Sequence, residues 1–297
     1  MNGIICINKP TDITSFGVVA KVRGITRQKK AGHTGTLDPM ATGVLPVMLG
    51  DATRFLNYLP DSDKGYRATF ILGKTTDTLD ITGEVLSTCE TECGAADIER
   101  ILPEFTGKIM QVPPMFSAKS VDGVRLYELA RKGEEIEREP CEVEVKKLEL
   151  IGEENGEFTL DVVCSKGTYV RSLIADIGAK LGCGAVMTSL CRTLACGFTL
   201  DDCVTLDELQ AIRDSGGDFS GKIIELDRVL SAYKRVAVSP AQTRRFSNGG
   251  ALDINRIKMS IEPDEICTVY GADGDLLGLA QNTNGELKAL RLMPYRQ

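Results

Sequence analysis

The 297-residue sequence has one histidine, no tryptophan and no apolar run near the ~18 residues that a membrane-spanning helix requires. With His33 alone, and with Cys89 and Cys93 as an isolated C-x-x-x-C pair, no metal site is expected. His33 has no G-x-S-x-G partner, and Gly32 and Gly35 lead to no Gly-Lys pair, so neither a serine-hydrolase arrangement nor an ATP-type phosphate loop fits. A Rossmann fingerprint, a fixed-period repeat and a low-complexity tract are all missing. The opening "MNGIICINKPTD" lacks the basic stretch and the small-residue cleavage site of a signal peptide, so a cytoplasmic protein is expected. Its ten cysteines then read as reduced thiols packed as small hydrophobes.

What is present is an ordinary globular composition, 42% hydrophobic and 26% charged, long enough to bury a large core. The net charge of −7 disfavours indiscriminate binding to nucleic acid, because the long-range field repels phosphate. A local exception is "KVRGITRQKK", where Lys21, Arg23, Arg27, Lys29 and Lys30 occur without one acid. Such a run is also what an ordinary solvated helix face looks like.

Along the chain, "GIICINKP" reads as a buried strand and "TSFGVVAKVRGITR" as a helix capped by Thr14 or Ser15, with Val18, Val19, Val22 and Ile25 on one face. "VLPVMLG" reads as a strand and "DATRFLNYLP" as a short helix capped by Asp51 and stopped by Pro60. "GYRATFILG" is an alternating strand that Tyr66 opens, and "VRLYELARKG" is a helix closed by Gly133. "CEVEVKKLELI" and "FTLDVVCSKG" are strands, "TYVRSLIADIGAKLG" is a helix capped by Thr168, and "AVMTSLCRTLACGFTL" is strand again. Strands in runs with helices interspersed irregularly indicate an α+β fold with a mixed, largely antiparallel sheet flanked by helices. The texture changes near Arg235, so two domains are expected, 1–230 and a small β-rich unit at 235–297.

The stretch "GHTGTLDP" is first of all a turn, in which Gly32 and Gly35 permit positive φ and Asp38 before Pro39 initiates the bend. Beyond it, "CSKGTYVRSL" places Lys166, Tyr169 and Arg171 at a strand-to-helix junction. A carboxylate shielded from water needs a fixed cation to stay ionised, and Arg171 is the candidate partner of Asp38. Taken singly, Tyr169 and Arg171 are also plausible first-turn residues of a helix. Asp77 and Asp80, without histidines nearby, read as loop caps.

Six ordered blocks, "INKPTDITS", "GHTGTLDPMATGVLPVMLGDATRF", "KGYRATFILGKTTDTLDITG", "VPPMFSAKSVDGVRLYELARKG", "CSKGTYVRSLIADIG" and "LCRTLACGF", resemble the successive motifs of the bacterial tRNA pseudouridine-55 synthases, the TruB family. The resemblance covers nearly all of residues 3 to 200, and the tail is similar to that family's PUA-like domain. It implies a pseudouridine-synthase-like catalytic domain and an RNA-binding tail. It also implies isomerisation of uridine 55 in the tRNA T-loop after flipping of the base, with no cofactor. Asp38 matches the essential aspartate, acting at C1′, at C6 or on the C2′ proton. Tyr66 matches the tyrosine that stacks on the uracil, and Arg171 matches the partner of Asp38, so these three form the implied catalytic set. The implied substrate contacts are His33 as a wedge in the T-loop, Tyr169 and Leu190 in the uracil pocket, Asp80 ordering the site near Tyr66, and Lys9 and Arg54. Phosphate contacts fall to Lys21, Arg23, Lys29, Lys30 and Lys166, with Arg244 and Arg245 in the tail. The implied partner is the T-arm and elbow of tRNA, met by a monomer with no protein partner and no membrane. A competing reading is a folding chaperone of the tRNA elbow in which chemistry is secondary.

Overall fold

The computed structural model describes residues 1–59, 63–117, 119–121, 123–257 and 259–294. Nine strands form the main sheet: β1 (Gly3–Lys9), β2 (Ala31–His33), β3 (Thr42–Leu49), β4 (Lys64–Leu72), β5 (Gly107–Gln111), β6 (Cys141–Glu154), β7 (Glu157–Cys164), β8 (Ala185–Ala195) and β9 (Phe198–Thr199). Their spatial order is β1-β3-β8-β4-β7-β6-β5, with β2 beside β3 and β9 beside β8. Within this sheet β8 meets β3 in parallel, Arg192 facing Gly43, and the other strand pairs are antiparallel.

One face of the sheet is covered by α1 (Ser15–Thr26), α2 (Ala95–Ile101), α3 (Val170–Leu181) and α4 (Leu206–Asp214). Val18, Val19, Val22 and Ile25 of α1 and Leu173, Ile174 and Ile177 of α3 pack there against Ile5, Ile7, Ala68 and Phe70. Strand β1 is buried on both faces, since Ile4 and Cys6 belong to a second cluster with Met48 and Phe55. This double burial is why its sequence is a continuous apolar run rather than an alternation. Thr14 caps α1 by accepting from the Gly17 amide at 2.9 Å.

A second sheet holds β10 (Lys234–Ala237), β11 (Leu252–Asp253), β12 (Ile266–Tyr270), β13 (Leu276–Thr283) and β14 (Glu286–Leu292), in the order β10-β12-β13-β14-β11. With α5 (Pro240–Ser247), capped by Ser239, it encloses its own core of Val236, Phe246, Cys267, Val269 and Leu287. The unit docks on the main sheet's other face, where Leu279 joins Ile4, Cys6, Met48 and Phe55. The Tyr233 hydroxyl donates to the Tyr58 carbonyl across this junction at 2.7 Å.

Several local expectations are corrected. The short helix expected after β3 is a 3₁₀ helix over Gly50–Tyr58 that buries Ala52 and Phe55. Asp51 makes no capping bond there and instead meets Lys30 at 3.5 Å, while Pro60 lies outside the described residues. Thr168 does not cap α3, because its hydroxyl donates to the Ser165 carbonyl at 3.0 Å. Tyr169 takes that position, its amide donating to Gln111 Oε1 at 2.8 Å while Gln111 Nε2 donates to its carbonyl at 3.0 Å. The helix expected over "VRLYELARKG" is confined to Leu126–Ala130, since Val124 and Arg125 are drawn into a hairpin with Ser120 and Val121. Gly32 and Gly35 are not in the positive-φ region; that conformation belongs to Gly43, at φ 100°.

Candidate active site

The loop between β2 and β3 is fixed from three sides before it presents any group. Ser15, in the first turn of α1, accepts from the Leu37 amide at 2.8 Å and donates to the Leu37 carbonyl at 3.1 Å. The Ala41 amide closes a turn onto the Asp38 carbonyl at 3.1 Å, which is the bend that Asp-Pro favours. Arg192, fully buried on β8, donates from Nε to the Val44 carbonyl at 2.8 Å, and its Nη atoms donate to the carbonyls of Gly35 and Thr36 at 3.2 and 3.4 Å. Gly43 makes this possible, because a Cβ there would overlap the Arg192 backbone.

The loop delivers Asp38 to a cavity of about 200 Å³. Tyr66 at the start of β4, Tyr169, Val170 and Arg171 at the start of α3, Leu190 on β8, Lys64 and Ser117 also line it. Asp38, Tyr66, Arg171, Tyr169 and Leu190, five residues singled out in the sequence, therefore converge on one space. Arg171 Nε lies 3.0 Å from Asp38 Oδ2, and the arginine side chain is 6% exposed. Its Nη1 donates to the Thr78 carbonyl and its Nη2 to the Phe116 carbonyl, both at 2.8 Å, and Asp80 Oδ2 is 3.6 Å from Nη1. A planar fork held at four points has a fixed orientation, so it fixes the carboxylate in turn.

Burial is the largest influence on Asp38 and pushes its carboxyl above the usual carboxylate value; Arg171 pulls it back and Asp80 pushes it up. Arg171 therefore opposes the rise caused by desolvation without cancelling it. Burial pushes the Tyr66 phenol up to about 12, against the pull of neighbouring Arg192. The ring is accordingly a neutral wall at physiological pH. Burial, and then Arg192, hold Lys64 below the usual lysine value.

The remaining sequence candidates fall elsewhere. Lys9 is not at the cavity wall; it is fully buried, with Nζ donating to the carbonyls of Pro10, Pro39 and Ala41 at 2.8, 2.9 and 2.6 Å. All three protons are consumed in bracing the Asp38 loop. Burial pulls its pKa down to about 8, with Asp38 and Asp12 acting the other way. Arg54 also lies away from the cavity, donating to the Leu292 carbonyl of the second sheet at 2.7 Å. Asp80 orders Arg171 rather than Tyr66, and its Oδ1 accepts from Thr78, from the Thr82 amide and from the Thr82 hydroxyl. His33 sits on β2, three residues ahead of the cavity lining; burial and Arg192 lower its pKa, and its Nδ1 is buried with no partner. Lys21, Arg23, Lys29 and Lys30 are exposed on α1 and the turn after it, and Lys166 is exposed next to cavity-lining Gly167.

Sequence reasoning missed Arg192, Lys64, Ser15 and Ser117. Only Arg192 carried a readable signal, since it stands two residues after Leu190 and so shares its face of β8.

Residues 23–170 match the family model described as TruB family pseudouridylate synthase (N terminal domain), and residues 171–236 match tRNA pseudouridylate synthase B C-terminal domain. A Pseudomonas fluorescens protein named tRNA pseudouridine synthase B is 54% identical over 73% of this chain and 72% of its own length. One of the same name from Burkholderia mallei is 40% identical over 99% of this chain and 97% of its own. Among solved structures, a chain of the crystal structure of a Cbf5-Nop10-Gar1 complex superposes with a TM-score of 0.76 at 25% identity, covering 98% of this chain and 85% of that one.

Proposed function

This chain belongs to the TruB family of pseudouridylate synthases, and from that premise we propose that it isomerises the uridine at position 55 in the tRNA T-loop. It is an isomerase that forms pseudouridine in tRNA, as its relatives' names state of them. The reaction breaks the N1–C1′ bond and forms a C5–C1′ bond, while C5 loses a proton and N1 gains one. Atoms and electrons balance without an oxidant, a reductant or an energy source, so no cofactor is invoked.

The observation that carries the reading is the Asp38–Arg171 pair at 3.0 Å inside a cavity walled by Tyr66, Tyr169 and Leu190. One carboxylate oxygen is committed to Arg171, which leaves the other for the ribose or the ring. At about 30 Å³ per water, the space equals roughly seven waters, more than the bulk of one pyrimidine ring. A base stacked in a T-loop reaches such a space only by being flipped out, at a cost of a few kcal/mol that stacking on Tyr66 and burial against Leu190 offset. A neutral His33 suits a wedge rather than a phosphate contact. We assign the sugar–phosphate contacts to the exposed cations Lys21, Arg23, Lys29, Lys30 and Lys166, and residues 235–297, with Arg244 and Arg245, to a PUA-like RNA-binding domain beside a catalytic domain of residues 1–230. The enzyme acts as a cytoplasmic monomer. A pure tRNA chaperone has no use for a desolvated carboxylate clamped by a guanidinium, so that reading is not favoured.

Incubation with an unmodified tRNA transcript, followed by mapping of pseudouridine, tests the proposal. Product at position 55 is expected; tRNA binding without product there overturns it.

A further inference from the structure

Ser117 is 5% exposed, lines the cavity, and its Oγ has no hydrogen-bond partner. Among the described residues four side chains carry such an orphaned buried atom, and Ser117 is the one of them that faces this cavity. An unpaired buried hydroxyl costs about 1–3 kcal/mol, which makes it a poor structural choice unless a partner arrives.

Its own backbone groups are both bonded. The Ser117 amide donates to the Met115 carbonyl at 2.9 Å, and its carbonyl accepts from the Tyr127 amide at 3.1 Å. The preceding carbonyl, of Phe116, accepts from Arg171 Nη2 at 2.8 Å. The guanidinium that clamps Asp38 therefore also sets the height of Ser117 over the same space. Two other polar side chains of the wall are already engaged: the Thr168 hydroxyl donates to Ser165, and Arg171 is held at Asp38, Thr78 and Phe116.

We propose that the Ser117 hydroxyl donates to a carbonyl oxygen of the target uracil and retains the ring while it is detached from C1′ and turned. This rests on the pseudouridine-forming reading above. Uracil has an internal near-symmetry: a half-turn about the line through N3 and C6 exchanges N1 with C5 and, with them, C2=O with C4=O. A donor bonded to one carbonyl before the turn meets the other after it, and N3–H keeps its place. One fixed hydroxyl can thus hold substrate and product rings alike, which suits a step in which the base has no covalent link to the tRNA. The bond changes remain those already balanced, with N1–C1′ broken, C5–C1′ formed and one proton moved from C5 to N1.

The test compares the parent protein with Ser117→Ala in single-turnover reactions, with tRNA affinity and thermal melting measured on the same preparations. The expected result is a rate roughly tenfold lower, the loss typical of one buried hydrogen bond, with affinity nearly unchanged and a melting temperature no lower than the parent's, because the lone hydroxyl is unsatisfied in the free protein. A rate within twofold of the parent, or a rate loss matched by lost affinity or a lower melting temperature, overturns the inference. If the alanine variant does not fold, a transcript carrying 4-thiouridine at the target is presented to the parent protein. The weaker acceptor should slow the single turnover severalfold, and an undiminished rate overturns the inference. A parent protein that binds unmodified tRNA without forming product refutes the proposed function instead, so the two failures are distinct.

Discussion

The ammonium of Lys9 donates to the carbonyl oxygen of Pro39 at 2.9 Å, joining the end of the first strand to the residue that follows Asp38. Replacing it by the similarly shaped methionine in Lys9→Met would strand the buried carbonyl of Ala41 and remove the partner of the half-buried carbonyls of Pro10 and Pro39. Unsatisfied groups of this kind cost about 1–3 kcal/mol each before relaxation. Thermal melting should fall by several degrees, and turnover should fall further than tRNA affinity. An unchanged melting curve would show that the brace is dispensable.

Asp38→Asn should abolish turnover while leaving tRNA affinity within about tenfold, or ~1.4 kcal/mol. The folded carboxyl sits above its ordinary pKa, so its ionisation opposes folding: the stability it contributes is complete below the unfolded value and is lost as pH rises through the folded one. A neutral amide removes that opposition, while Arg171 keeps the carbonyls of Thr78 and Phe116 and the nearby Asp80. Calorimetry should find Asp38→Asn no less stable than the parent at neutral pH. A clear loss of stability would mean that the ion pair outweighs desolvation.

Turnover should show an acid limb displaced upward. The reacting form is the carboxylate, and burial raises its pKa above 3.8, so the rate must begin to fall at a higher pH than an ordinary aspartate would dictate. Single-turnover rates at saturating enzyme, followed downward from neutrality, measure this. A rate that is flat to about pH 4 contradicts the raised value.

Gly43→Ala should be among the most damaging single-methyl additions. The site has φ 100°, and the new Cβ would collide with the Arg192 backbone at the parallel junction of β3 and β8. Strain of this kind costs about 1–3 kcal/mol before any clash is relieved. Denaturant melts should reveal that loss, together with slower turnover, because Arg192 also holds Gly35 and Thr36. An unaltered midpoint would refute the close approach.

Much of this was legible in the sequence, for identifiable reasons. The strands and helices follow periodicity, so the stripe of Val18, Val19, Val22 and Ile25 and the alternation around Tyr66 were readable. Asp38 and Arg171 taken singly read as a turn residue and a helix-start residue, and the ordered blocks around them are what singled them out. Lys9 was misplaced because a lysine at a strand end normally reaches solvent, and only the folded loop shows three carbonyls waiting for it. Ser117 was invisible for the opposite reason: a serine in a loop is commonplace, and its isolation appears only when its surroundings are closed. The misjudged glycines show the same limit, since positive φ depended on which strand came to lie beside Gly43.

Strand β8 lies between β3 and β4 although it is made long after both. A chain emerging from the ribosome therefore carries β4 with an edge open, and β3 with the Thr42–Gly43 end of its edge open beyond β2, until residues 185–195 arrive to fill the slot. Asp38 waits through the same interval for Arg171, which is also synthesised late. A fragment that stops short of β8 would thus be a protein with sticky edges, prone to pair with other copies of itself, before it was ever a failed enzyme.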